Sequence, residues 1–238
     1  MLDSVSQSAA QLPERCLQLA LDLTRWDDAA ALVGSLSNVL MRVELGTPLV
    51  LAEGLGTIHK LRSLCRQPLV VVADVKICDA GERIAHAALA HGADVVTAVA
   101  AVMDDVTWKG ILRAVLQHDL RHTGCAPVLL DTIGHSVDLA ALSRLATMAA
   151  DAGVKVDLCI HRPKSGSAGM DELIAPFKTS ETPFDRMVIA GKLTPGEVRA
   201  ALTAGFDTLV VGGAVASASD PALVWNAFRN EVATALAR

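Results

Sequence analysis

Seven side chains able to hold a charge or move a proton close short apolar runs: Asp22, Glu44, Asp74, Lys76, Asp79, Asp131 and His161. In Asp74-Val75-Lys76-Ile77-Cys78-Asp79 the alternation of an extended chain puts Asp74 and Lys76 on one face, so both can address one ligand. Asp79 lies beyond the strand, where Ala80-Gly81 permits a sharp turn. A single aspartate after a strand is ordinarily a helix cap or a surface charge. Five carboxylates and one lysine converging on one rim are different: they repel unless a cation or the lysine offsets them, and such clusters mark functional sites. Two glycine turns, Ala190-Gly191-Lys192 and Gly212-Gly213-Ala214, add backbone N–H groups able to cradle phosphate.

These residues need a scaffold that brings strand ends together. Candidate strands run over Leu17–Leu23, Met41–Leu45, Leu69–Val75, Val95–Val99, Val128–Asp131, Val156–Ile160, Met187–Ala190 and Thr208–Val211. Their apolar runs are nearly continuous, as in parallel strands covered on both faces by crossover helices. Segments with helical periodicity fall between them, at 27–39, 53–65, 82–91, 106–118, 137–152, 170–178, 195–204 and 221–237. Thr194-Pro195 with Glu197, and Asp220-Pro221, carry helix-start signals. Gly92, Gly153 and Gly205 each stand between a helix and the next strand, where a left-handed turn can end the helix. Eight such units in 238 residues predict an α/β fold, the (β/α)8 TIM barrel, with its site at the C-terminal ends of the strands. Residues 1–15 read as an N-terminal extension and 16–238 as one barrel domain.

Composition narrows the function further. With 21 Lys plus Arg against 26 Asp plus Glu the net charge is −5, which lacks the basic footprint of a nucleic-acid binder. No apolar run is long enough to cross a bilayer, and no basic residue precedes Arg15, so neither membrane insertion nor secretion is expected. Five cysteines without a CxxC pair suggest neither a disulfide framework nor a zinc ribbon, and a reducing cytoplasm fits. His118 and His122 share helical spacing but have no third ligand in sequence, and read as surface histidines. Met103, Met148, Met170 and Met187 read as core filler, and Cys78 as a packed thiol.

The stretch Ala73-Asp74-Val75-Lys76-Ile77-Cys78-Asp79-Ala80-Gly81 resembles the D-x-K-x-x-D signature of the orotidine-monophosphate-decarboxylase superfamily. Leu17-Gln18-Leu19-Ala20-Leu21-Asp22, Val43-Glu44-Leu45-Gly46-Thr47-Pro48 and Glu53-Gly54 are similar to its branch of 3-hexulose-6-phosphate synthases and 3-keto-L-gulonate-6-phosphate decarboxylases. The resemblance implies Mg2+ held by Glu44 and Asp74, with Asp22 and Lys76 beside it, and an enediolate derived from a phosphorylated ketose. It further implies His161 as the proton-transfer group, Asp131 as the acid ending strand five, and a homodimer in which Asp79 reaches the neighbouring site. Phosphate would sit on Gly191, Lys192, Gly212 and Gly213, although the family usually has glycine where Lys192 stands. Gly213 and Asp131 favour an aldolase joining formaldehyde and ribulose 5-phosphate, whereas Lys164 keeps a phosphosugar decarboxylase open. A noncatalytic phosphosugar-binding barrel is the third reading, and the intact set of charged residues weighs against it.

Overall fold

The computed structural model describes residues 16–65, 68–118, 124–133, 138–162, 169–178 and 184–237. Its strands are β1 (Leu17–Leu21), β2 (Arg42–Leu45), β3 (Val70–Ile77), β4 (Val95–Val99), β5 (Val128–Asp131), β6 (Val156–His161), β7 (Met187–Ala190) and β8 (Thr208–Val211). All neighbours pair in parallel and in chain order, and β8 returns to β1 to close the barrel. The expected fold is therefore observed. The principal crossover helices are α1 (Trp26–Leu36), α2 (Thr47–Glu53), α3 (Thr57–Leu64), α4 (Gly81–Ala90), α5 (Asp105–Gln117), α6 (Leu139–Asp151), α7 (Met170–Lys178) and α8 (Val198–Ala204). A single turn, α9 (Gly213–Ala216), and the long α10 (Pro221–Leu236) complete the ring.

Strand alternation divides the core in two. Leu17, Leu19 and Leu21 point outward and merge with helix residues such as Trp108, Trp225 and Phe228 in one continuous apolar layer. Trp108 sits wholly inside that layer because its indole N–H donates to the Leu145 carbonyl at 2.9 Å. The inward positions form a smaller cluster of Ala20, Val72, Val95, Leu129, Cys159, Val188, Ala190 and Val210. Small side chains here leave the upper barrel open above them.

The local start signals act as expected. Glu197 accepts from the Thr194 N–H at 2.9 Å, and Asp220 accepts from the Leu223 N–H at 3.0 Å. Gly92, Gly153 and Gly205 all take positive φ between helix and strand. The segment read as one helix over 53–65 is instead two, α2 and α3, because Gly54 at φ +76° ends the first of them. Strand β1 stops at Leu21 rather than Leu23, while β3 continues to Ile77 through a register shift after Ala73. Cys78 is exposed, not packed, its Sγ 3.1 Å from the Lys76 carbonyl. The extension 1–15, His122 and Lys164 lie outside the described residues. Among the described residues, no helix is long and apolar enough to cross a membrane.

A buried polar chain runs through the barrel. Arg42 donates through Nε to Gln18 Oε1, Gln18 donates through Nε2 to Glu44, and Arg42 Nη2 lies 3.8 Å from Asp157 Oδ2. Burial pushes Asp157 up to about 6, with Arg42 opposing that rise. Removing one partner leaves a buried charge uncompensated, so Asp157→Asn or Arg42→Met alone should cost about 3–5 kcal/mol. The combined Arg42→Met, Asp157→Leu variant should recover most of that loss in urea denaturation. Singles as stable as the parent protein would show that the pair carries no such coupling.

Candidate active site

A cavity of about 660 Å3 opens at the C-terminal ends of the strands. Asp22, Glu44, Asp74, Lys76, Asp131, His161, Gly191, Lys192, Gly212 and Gly213 all line it. Of the residues expected at the site, Asp79 alone stands elsewhere: it is exposed at the start of α4, where its Oδ1 accepts from the Ala80 N–H. Asp79 borders a separate surface depression with Glu82, Arg83 and His86.

Asp74 is the hub. It is buried, and its Oδ2 accepts from the Thr47 hydroxyl at 2.8 Å and from the Thr47 N–H at 3.2 Å. Its Oδ1 accepts from the Thr97 hydroxyl and from Lys76 Nζ, each at 2.8 Å. Lys76 reaches this position from a left-handed backbone, φ +42°, with its N–H on the Thr97 hydroxyl. Its ammonium also lies 3.4 Å from Asp131 Oδ2. Burial works against that charge, but Asp74, then Asp131 and Glu44, outweigh it and hold Lys76 above its ordinary value. The lysine is thus a permanent cation between two acids.

Glu44 is fully inside the barrel, and burial followed by the nearby Asp74 pushes it up to about 8. Gln18 holds one of its oxygens. Asp22 sits at the rim, raised first by desolvation and then by Asp74. Gly46 makes this packing possible, since a Cβ there would lie 2.2 Å from Asp22 Oδ1. On the other side, His161 Nδ1 stands 3.5 Å from Asp131 Oδ1. Thr132 receives the His161 N–H at 3.2 Å, which anchors the end of β6.

Lys192 occupies a left-handed position, φ +50°, immediately after Gly191 at φ +106°. The preference for glycine after strand seven therefore has a backbone reason, and this chain accepts strain to place a cation there. Gly213 opens α9 with nothing within 4 Å of where a Cβ would stand.

Four contributors were not singled out in sequence. Thr47 and Thr97 hold Asp74, while Gln18 and Arg42 support Glu44 from below. Gln18, Ala20 and Asp22 share one parity along their strand, as do Arg42 and Glu44, so alternation carried a signal for the latter two.

A closed parallel barrel with a carboxylate–lysine cluster at its C-terminal rim defines an enzyme-type TIM barrel. The chain belongs to the Orotidine 5'-phosphate decarboxylase / HUMPS family, which it matches over residues 15–228. It is 32% identical over 223 residues to a 3-hexulose-6-phosphate synthase of Mycobacterium gastri, covering 91% of this chain and 99% of the relative. Among solved structures, a 3-hexulose-6-phosphate synthase is similar with TM-score 0.74 and 29% identity, covering 90% of this chain and 98% of the other. KGPDC from Streptococcus mutans, in complex with a pentose phosphate, is similar with TM-score 0.76 and 25% identity, covering 92% and 97%.

Proposed function

We propose that the protein is an aldolase-type carbon–carbon lyase that joins formaldehyde to ribulose 5-phosphate through an enediolate, and that it works in the cytoplasm. The observation that carries this reading is the placing of Glu44, Asp74 and Asp22 in one cavity with Lys76 and the Asp131–His161 pair. The similarity to 3-hexulose-6-phosphate synthases supports the substrate pair.

The donors fit Mg2+. Glu44 and Asp74 offer hard carboxylate oxygens, and the rise of Glu44 to about 8 reflects burial and crowding that a divalent cation would relieve. When bound there, Mg2+ supplies Lewis-acid stabilisation of charge on substrate oxygen. The side chains do the rest. Lys76, kept cationic by its two acids, faces the oxygen on which negative charge grows. His161 moves the proton at C1, with Asp131 orienting its imidazole from Nδ1. Gly213 and Ala214, at the first turn of α9, present amides that have no acceptor within the helix, and with Gly191, Gly212 and Lys192 they receive phosphate.

Incubation with ribulose 5-phosphate, formaldehyde and Mg2+ should yield a hexulose phosphate, identified by mass. Faster release of CO2 from 3-keto-L-gulonate 6-phosphate than consumption of formaldehyde would replace this reading with the decarboxylase.

Asp79 supports a shared-site homodimer, because it stands outside its own cavity beside the signature that produced it. Mixing inactive Asp79→Asn with inactive Lys76→Ala subunits should then regenerate part of the activity through one intact site per heterodimer. Absence of recovery after mass spectrometry has verified subunit exchange would argue that each chain works alone.

A further inference from the structure

We propose that Asp131, Cys159 and His161 form a second, softer metal site on the cavity wall across the barrel from Glu44, taking a thiophilic divalent cation of the zinc and cadmium class. Asp131 and Cys159 are Cα partners in the β5–β6 ladder, and His161 follows Cys159 by two residues on the same face. Register alone therefore collects a carboxylate, a thiol and an imidazole at one level of the barrel. Their ligand atoms all lie within 4.8 Å of one another.

A second observation points to a ligand there. Asp131 is only 4% exposed, yet its Oδ1 has no hydrogen-bond partner, and neither does His161 Nδ1. Lys76 satisfies the other carboxylate oxygen and leaves Oδ1 turned toward the imidazole at 3.5 Å. Buried polar atoms are rarely left this way, and a cation between them would satisfy both. Lys76 opposes a second positive charge nearby, while Asp131 and a cysteine thiolate offset it.

The donor set selects the ion. Sulfur and nitrogen donors suit Zn2+ and Cd2+, whereas Mg2+ requires oxygens, so the two halves of the cavity would sort cations by chemistry. Three protein donors leave a fourth position open toward the cavity, the arrangement of an exchangeable rather than a structural zinc site. Binding breaks the Cys159 S–H bond, forms a metal–sulfur bond and releases one proton to solvent. Occupancy engages His161 and so inhibits the lyase. That last consequence rests on the function proposed above, and the binding itself does not.

The test is titration of the metal-stripped full-length chain with Cd2+ alone, read by the thiolate-to-cadmium charge-transfer absorption in the ultraviolet. One equivalent per chain should produce a band that survives excess Mg2+, Glu44→Gln and Cys78→Ser, and disappears in Cys159→Ser. Should Cys159→Ser not fold, His161→Gln should instead lower Cd2+ affinity by about tenfold or more, since even removing a group that only supports a ligand costs about 10–100-fold. The site is refuted by absence of the band, by its persistence in folded Cys159→Ser, by unchanged affinity in His161→Gln, or by displacement with Mg2+. Because the readout is spectroscopic, these results stand whether or not the protein consumes formaldehyde.

Discussion

Replacing His161 by alanine slows exchange of the C1 proton of ribulose 5-phosphate with solvent by about two to four orders of magnitude, the range for a positioned acid/base group. The geometry allows little substitution by another residue. His161 closes β6 and lines the cavity, and its Nδ1 faces Asp131 Oδ1 at 3.5 Å. Asp131 cannot take over readily, because its other oxygen is held by the Lys76 ammonium, which favours the charged carboxylate. Lys76 is a poor base for the opposite reason: Asp74 and Asp131 keep its proton on. Proton exchange followed by NMR in deuterated water isolates this step from carbon–carbon bond formation. Asp131→Asn should slow exchange less than His161→Ala, since it removes the orienting group and keeps the imidazole. Exchange at the parent rate in His161→Ala would assign the proton transfer to another residue.

The barrel was legible because each strand is a compact apolar run and each crossover ends on recognisable punctuation. Val128–Asp131, Met187–Ala190 and Thr208–Val211 begin and end where expected, since buried parallel strands show hydrophobicity on both faces. Ranges slipped where backbone geometry, not hydrophobicity, decided. The left-handed Lys76 lets β3 resume at Ile77 after its register shift, and Gly54 breaks what periodicity joins into one helix. Helix α2 had a start signal in Thr47-Pro48, of the kind read at Asp220-Pro221, but lay within the family motif. Helix α9, one turn long, is too short to show a period.

Most of the charged site was legible for a related reason: an ionisable side chain at the end of an apolar run is conspicuous. Its supports were not. Thr47 and Thr97 are ordinary residues in sequence, and only the β2–β3–β4 arrangement turns both hydroxyls onto Asp74. Gln18 and Arg42 interrupt apolar strands, and their meaning depends on facing each other across the β1–β2 pair beneath Glu44. Asp79 shows the reverse: its spacing marks it for the site, while the fold of one chain leaves it outside.

Metal removal should have the largest effect of all. Excess chelator should abolish turnover, and added Mg2+ should restore it, because the proposed reaction places developing charge on oxygen beside acids that would otherwise repel it. Glu44→Gln tests which residue is responsible. The amide keeps the shape but loses the anionic donor, so Mg2+ affinity should fall by more than the about 10–100-fold that losing a supporting group costs. The metal-free fold should not suffer. Burial and Asp74 push Glu44 up to about 8, so near neutral pH the barrel already favours an uncharged group there, and glutamine supplies one. Above about pH 8, where folding must carry a buried carboxylate that the unfolded chain solvates freely, the variant should be the more stable of the two without metal. Thermal unfolding with and without Mg2+ separates these effects: the parent protein should gain stability on adding Mg2+, whereas Glu44→Gln should gain little while matching the parent in its absence. A variant still stabilised fully by Mg2+ would exclude Glu44 as a ligand. Full parental turnover in excess chelator would remove the metal from the reaction altogether.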